Sequence, residues 1–351
     1  RSKDMIVVGV ILHALGGFAA GSFYLPLKKV KNWSWESAWL VNGVFSWILA
    51  PIAVAWLTVP ALGKVLGGVE TSVLSWTFLF GVLWGIGGLT FGLSVRYLGM
   101  SLGYAVVLGF CAAFGTLIPA VYDGSFMRLL TTAPGGVVMA GIIVCLVGIG
   151  ICGYAGRLKE KRLTPEEDEK QEFHVGRGLM LATFSGLMSA CMAFGFAAGK
   201  PIGDEAAQAG ADPLWVNNAP LVVILFGGFL TNALWCLVLN IRQGSWRDYR
   251  KSEAPLLKNY GFAALAGVTW YLQFMFYGMG STKMGDYDFT SWTLHMSFII
   301  IASNLWSLYL NEWKGSGRKA IGVLVAGILV ITLSTVLIGL GNYLQGSVGA
   351  Q

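Results

Sequence analysis

The sequence predicts an all-α polytopic membrane protein of ten transmembrane helices, arranged as two inverted five-helix repeats with both termini outside. Three observations predict it. Only 12% of the 351 residues are charged and 55% are apolar, against about 25% charged in a soluble domain. The apolar residues gather in ten stretches, each near the ~20 residues a helix needs to cross a bilayer. Lys and Arg divide 18 to 6 between alternate connections, which is the signature of membrane orientation.

In the first half the stretches are 5–27, 37–59, 73–95, 101–122 and 136–155. In the second they are 178–199, 216–240, 259–280, 288–310 and 320–342. No small-residue cleavage signature follows the first, so it reads as a retained helix and not a signal peptide. The strongly charged connection, 157–177, contains Lys159-Glu160-Lys161-Arg162 and Glu166-Glu167-Asp168-Glu169-Lys170. It divides the chain into a first repeat, 1–156, a cytoplasmic linker, 157–177, and a second repeat, 178–351. The cation-rich connections follow stretches one, three, five, seven and nine, which puts those connections in the cytoplasm. Five is odd, so two similar halves must insert with opposite orientation, as in many secondary transporters. A weak trace of the repeat is visible where Leu98-Gly99-Met100-Ser101-Leu102-Gly103 corresponds in position to Gly280-Ser281-Thr282-Lys283-Met284-Gly285.

Glycine supplies the packing signal. Gly81, Gly85, Gly88 and Gly92 share a face of stretch three, while Gly99 with Gly103 and Gly195 with Gly199 repeat the same four-residue spacing. Small residues in such stripes let helix backbones approach closely in lipid.

Several function classes recede. The net charge of +6 is spread among the connections and builds no nucleic-acid face. Cys111, Cys145, Cys152, Cys191 and Cys236 lie inside apolar stretches without metal-ligand spacing. His174 stands alone in the linker. No nucleophile constellation, metal cluster or phosphate loop is recognisable, so the chain does not read as an enzyme.

What remains is a set of polar groups at membrane depth, where they are costly and mark functional sites. His13 lies about 12 Å along stretch one, at 1.5 Å per residue, on a stripe with Gly17, Ala20 and Tyr24. His295 lies at similar depth in stretch nine, on a face with Asp288, Ser291 and Trp292. Trp270, Gln273, Phe274 and Tyr277 share a face of stretch eight. Asp288 fits two roles, helix N-cap and proton carrier. Trp84, Trp270 and Trp292 lie deep, and suit either helix packing or the C–H face of a sugar. Trp33, Trp35, Trp246 and Trp313 fall at the interfaces where indoles gather. Donors and acceptors mixed with aromatic rings suit a neutral polyhydroxylated ligand, each of whose buried hydroxyls needs a partner. Arg96 reads as an anchor at a cytoplasmic helix end. Lys200, before Pro201, reads as a gate or an interfacial snorkeller.

These residues carry a family resemblance. The strings Phe23-Tyr24-x-Pro26-x-Lys28-Lys29-Val30-Lys31-x-Trp33-Ser34-Trp35-Glu36 and Arg96-Tyr97-Leu98-Gly99-Met100-Ser101 are two of its dense places. Trp270-Tyr271-Leu272-Gln273-x-x-Phe276-Tyr277, and Tyr287-Asp288-x-x-Ser291-Trp292-x-Leu294-His295-Met296-Ser297-Phe298 with Glu312-Trp313, are the others. The chain resembles the L-rhamnose–proton symporter family of the drug/metabolite transporter superfamily, over nearly its whole length; the middle, Tyr104 to Ala120 and Trp215 to Asn232, departs more. The resemblance implies uptake of L-rhamnose, or a closely related 6-deoxy-hexose or pentose, with a proton by alternating access in the bacterial inner membrane. On that reading His13, Gln273, Tyr277 and His295 bond sugar hydroxyls, and Trp84, Trp270 or Trp292 covers the apolar face. Asp288, His295 or His13 carries the proton, and Tyr24, Arg96 and Lys200 gate or anchor. Protons are the coupling ion, with no other cofactor and no metal. The partners are a small neutral sugar and the bilayer, not nucleic acid, with the chain a monomer or weak dimer. The alternative is an exporter of another small polar metabolite on the same fold.

Overall fold

A computed structural model describes residues 2–122, 126–162, 173–251, 253–284 and 291–349, and every regular element among them is helical. The α-helices are α1 (Ser2–Ser22), α2 (Tyr24–Leu27), α3 (Trp35–Val44), α4 (Ala50–Thr58), α5 (Leu62–Gly68), α6 (Thr71–Tyr122), α7 (Phe126–Thr131) and α8 (Ala133–Glu160). There follow α9 (Val175–Ser189), α10 (Cys191–Ala198), α11 (Lys200–Gln208), α12 (Asn218–Gln243), α13 (Leu256–Met284), α14 (Ser291–Tyr309) and α15 (Gly317–Gly349). Seven helical stretches among the described residues are long and apolar enough to cross a membrane, and Leu294–Tyr309 is a shorter apolar one. The protein is therefore a polytopic membrane protein. At 29 residues α13 also has the length, but carries Asn259, Tyr271 and Gln273.

Local departures from the expected helices have identifiable causes. Stretch 37–59 is continuous but contains a π turn at Phe45–Leu49, directly before Pro51. The wider turn accommodates a residue that lacks an N–H and crowds the preceding turn. Stretch 178–199 is interrupted at Ala190, between α9 and α10. Lys200–Gln208 forms a short helix where a plain connection is expected, with Pro201 in its first turn. In α6 the chain reverses at Gly99, whose φ of 77° belongs to glycine. Along an unbroken helix Phe91 and Tyr104 would lie about 20 Å apart; their ring centroids are 4.8 Å apart. Arms 71–98 and 100–122 thus lie back to back.

Helix contacts are built on glycine. A Cβ at Gly85 would fall 2.7 Å from both Cα and O of Gly228, and one at Gly267 would fall 2.5 Å from the carbonyl O of Asn42. Gly16 and Gly17 seat α1 against Gln273 on α13 and Phe298 on α14, while Gly141 and Gly148 seat α8 against Ile338 and Ile331 on α15. All five cysteines are buried and unpaired.

The connections after the odd-numbered stretches meet at one end of the bundle. Asn259 and Lys31 exchange bonds of 2.7 and 3.1 Å, Ser34 N–H donates to Asp248 at 2.7 Å, and His174 N–H donates to the Tyr97 carbonyl at 3.1 Å. Beside them Glu36 is buried and accepts from the Ser245 hydroxyl at 2.5 Å. The centre of this end is Glu312. Its carboxylate accepts from Lys28 Nζ at 2.6 Å, Met100 N–H at 3.1 Å and the Ser307 hydroxyl at 2.9 Å, while Lys159 Nζ donates to its carbonyl O at 3.0 Å. Burial alone would raise the Glu312 carboxyl, but the Lys28 ammonium and the hydrogen bonds to Lys28 and Ser307 hold it below the usual range. Trp313, expected at the lipid interface, is instead buried, with Lys159 Nζ 5.1 Å from its ring. At the opposite end Asn218 donates to Thr58 at 3.0 Å, and Asn217 donates to the Gly278 carbonyl at 3.2 Å.

Two stability outcomes follow from these contacts. Gly85→Val should lower the thermal unfolding midpoint in detergent by the equivalent of about 1–3 kcal/mol or prevent folding. Gly63→Val, with open space around its Cβ, should leave the midpoint nearly unchanged; equal effects would contradict the packing described. Because the Glu312 carboxyl is depressed in the fold, its contribution is present at neutral pH and lost as pH falls through that depressed value. Unfolding midpoints of Glu312→Gln and the parent should therefore differ at neutral pH and converge in acid, and a gap constant with pH would remove the ionised carboxylate from this account.

Candidate functional site

At mid-bundle the helices leave a narrow cavity of about 70 Å³, smaller than the roughly 300–1,000 Å³ of an open small-molecule site. Its wall draws on α1 and the residue after it (Ala20, Phe23), both arms of α6, the end of α9 (Ser189), α13 and α14. Arm 100–122, in the part of the sequence that departs most from the family pattern, contributes Tyr104, Val107, Leu108 and Cys111. Most of the wall is apolar.

The aromatic side is one packed cluster. Trp84 and Trp270 are 5.4 Å apart, and Trp47 meets them edge-on at 5.9 and 5.7 Å. Such pairs contribute about 0.5–1.5 kcal/mol each beyond burial, so the rings form a stiff wall. Trp39 joins them, its indole N–H donating to Asn232 Oδ1 at 2.9 Å. The Tyr104 hydroxyl donates to the Ala20 carbonyl at 3.0 Å, which ties arm 100–122 to α1.

Into this wall are set groups with hydrogen-bonding capacity left over. Among the described residues, the Gln273 amide, the Ser189 hydroxyl and the indole N–H groups of Trp84 and Trp270 have no hydrogen-bond partner, and the four residues that carry them line the cavity. A polar group in an apolar wall is costly unless something bonds it.

Behind the cavity, towards the end marked by Asn217 and Gly278, lies a second cluster. His13 and His295 are fully buried, with ring centroids 6.3 Å apart, and Tyr277 lies 5.5 Å from the first and 5.3 Å from the second. Glycine makes room for both imidazoles: a Cβ at Gly280 would fall 2.9 Å from His13 Cε1, and one at Gly16 3.1 Å from His295 Cε1. All four imidazole nitrogens, and the indole N–H of Trp292, are buried without a hydrogen-bond partner among the described residues. Buried polar atoms are almost always paired, so this concentration marks a place built for something other than packing.

The candidates from sequence therefore fall into distinct places. Trp84, Trp270, Gln273 and Trp292 line the cavity, while His13, Tyr277 and His295 sit one layer away, joined to it by Phe274 and Trp292. Tyr24 and Arg96 line a vestibule at the basic end, with Lys28, Lys159 and Glu312. Phe23 and Tyr24, adjacent in sequence, separate that vestibule from the cavity, one facing each. Lys200 is exposed and pairs with Asp204 at 2.7 Å. Asp288 lies outside the described residues. No group of three metal-ligating side chains occurs among the described residues. Sequence reasoning missed Ser189, which carries no local signal, and the Lys28–Glu312 pair, whose members appeared in the motif strings without a role.

Helices of membrane-spanning length around a central cavity with open donors and acceptors define the class of membrane carriers for small polar solutes. The comparisons narrow the class. The model of the L-rhamnose-proton symport protein (RhaT) family matches residues 2–343. The L-rhamnose-proton symporter of Mannheimia succiniciproducens is 38% identical over 340 residues, 96% of this chain and 98% of that one. Those of Salmonella gallinarum and Yersinia pestis are each 39% identical, over 347 and 343 residues, covering 97% of this chain and 99% of theirs. The chain belongs to the L-rhamnose-proton symport protein family, a family of transporters and not of enzymes.

Since the Gln273 amide bonds none of the described residues, Gln273→Leu should keep or slightly raise the unfolding midpoint. A marked drop would show that the amide has a structural partner after all.

Proposed function

We propose that the chain imports L-rhamnose, or a closely related 6-deoxy-hexose or pentose, together with a proton, by alternating access across the bacterial inner membrane. The observation that carries the reading is near full-length membership of a family whose members are named for this activity. The cavity agrees with it chemically. Aromatic faces and unpaired donors and acceptors suit a neutral sugar, and the mostly apolar wall suits its C–H groups and methyl.

The proposed architecture is ten spans in two inverted repeats, 1–156 and 178–351, with the charged linker 157–177 in the cytoplasm and both termini outside. Repetition in the packing supports it. Gly17 is seated on Phe298 and Ile299 as Gly186 is on Phe110 and Cys111. Gly81 meets the Ile224 carbonyl as Gly267 meets that of Asn42, and Gly141 meets Ile338 as Gly327 meets Cys152. A shift of 186 positions carries Gly81 to Gly267, Trp84 to Trp270 and Gly141 to Gly327. The cavity draws on stretches one, three and four of the first half and on six, eight and nine of the second, which correspond pairwise. The gathering of the odd connections at one end, together with the 18 to 6 split of cations, supports a cytoplasmic assignment for that end.

In the proposed mechanism Gln273 bonds sugar hydroxyls and Trp84, Trp270 and Trp292 cover the apolar face. His13, Tyr277 and His295 form the proton station on the outer side, with Asp288 an alternative carrier. Imidazole can take up and release a proton through either ring nitrogen. The partnerless nitrogens of both histidines support that role, since hydrogen bonds to protein would hold one protonation state. Coupling requires that the proton favour the sugar-competent state, because a ligand bound equally in all states shifts nothing. Lys28 and Glu312, with Tyr24 and Arg96 beside them, fasten the cytoplasmic end; Lys200 belongs to the outer rim.

Vesicles carrying the protein test this directly. L-rhamnose added outside should alkalinise the external medium, and L-mannose, L-lyxose and L-fucose in the same assay rank the substrates. His295→Ala should lose sugar-dependent proton movement while retaining sugar exchange. Normal proton stoichiometry in that variant would exclude His295 from coupling, and no proton movement in the parent protein would exclude symport.

A further inference from the structure

We infer that Ser189 is a further substrate-binding residue, which bonds one hydroxyl of the sugar from the wall opposite Gln273 and so contributes to specificity. The inference rests on the sugar-transport reading above and names a contact within it.

Ser189 is the last residue of α9, directly before the interruption at Ala190. A serine inside a membrane helix ordinarily returns its hydroxyl to a carbonyl one turn back. Thr183 and Ser185, on the same helix, each have a carbonyl partner: Thr183 donates to Leu179 at 2.9 Å, and Ser185 donates to Gly87 at 2.8 Å. Ser189 does neither: the residue lines the cavity, and its hydroxyl has no partner among the described residues. Its position is held from outside. A Cβ on Gly87 would lie 2.7 Å from Ser189 Oγ and 2.6 Å from its backbone N. Glycine at 87 is therefore what allows the end of α9 to reach the cavity.

The repeat gives the opposing geometry. The shift of 186 positions that relates stretch three to stretch eight carries Gly87 to Gln273. Ser185, one turn before Ser189, donates to the Gly87 carbonyl as Gly16, on α1, touches that of Gln273. Gln273 and Ser189 thus lie on opposite sides of the pseudo-twofold, one beside α1 and the other beside arm 71–98. Both belong to the second half; Gly87 stands where symmetry would put a second Gln273, and Ala20 where it would put a second Ser189. A ligand bonded from both sides is held in one orientation, which a single amide cannot do.

The test is a cycle between this side chain and the hydroxyls of the ligand. Uptake of L-rhamnose into proteoliposomes is competed by unlabelled L-rhamnose and by its 2-, 3- and 4-deoxy analogues, with parent protein and Ser189→Ala. In the parent, the analogue lacking the partner hydroxyl should compete roughly three- to tenfold less well than L-rhamnose, the range of one neutral hydrogen bond. In Ser189→Ala that analogue and L-rhamnose should compete equally, while the other analogues keep their parental penalties. Ser189→Thr, which retains the hydroxyl, should restore the parental pattern. A Ser189→Ala series unchanged from the parent, or weakened equally for every competitor, overturns the contact while leaving sugar transport intact. Absence of L-rhamnose uptake by the parent protein overturns the transport reading and this inference together.

Discussion

Close approach of helix backbones at glycine is the constraint on which the rest of the structure depends. Lipid supplies no hydrophobic drive between apolar helices, so contact area and backbone proximity must hold them. The same glycines admit the large rings. Gly228 lies under Trp84, Gly43 under Trp47 and Gly92 against Trp35 and Trp39, while Gly280 and Gly16 receive the imidazoles of His13 and His295. Four indoles and two histidines can pack inside the bundle because bare glycine backbone faces them there. A Cβ at any of these positions would displace a ring, so glycine packing sets the shape of the cavity.

On the repeat proposed above, the two halves share a framework but not its chemistry. Within the corresponding stretches His13 matches Ala182, Tyr277 matches Phe91 and His295 matches Val107. One side of the cavity therefore carries a cluster of imidazole and phenol rings, and the equivalent layer on the other side carries hydrocarbon. The fastening at Glu312 lies only at the basic end. A pseudo-symmetric fold supplies two similar conformations, and unlike residues at matching positions make those conformations respond differently to a proton.

The parts of this arrangement legible in the sequence were those with a period or a length. Hydrocarbon-length stretches, alternating cation content and the stripe through Gly81, Gly85, Gly88 and Gly92 are all one-dimensional signals. Helical spacing also showed that Trp270 and Gln273 share a face, and both line the cavity. It could not show how that face is rotated against its neighbours. His13, Tyr277 and His295 accordingly lie behind the wall, and Trp313, expected among interfacial rings, is covered by Lys159. Ser189 was invisible because its meaning depends on an interruption at Ala190 and on Gly87, about a hundred positions away. The π turn at Phe45–Leu49 was hidden for a similar reason: Pro51 announces a disturbance, but its form depends on how α3 and α4 pack on α13.

Glu312 gathers into one carboxylate and its own backbone the residue after α1 and α2, the turn at Gly99, the end of α8 and the link between α14 and α15. These segments cannot peel away from it one at a time at small cost. Each partial step would leave a charge or an N–H desolvated without its partner. Opening this end therefore means releasing several contacts that share one residue. A carrier fastened by such a knot opens at this end only when every strand of the knot has let go.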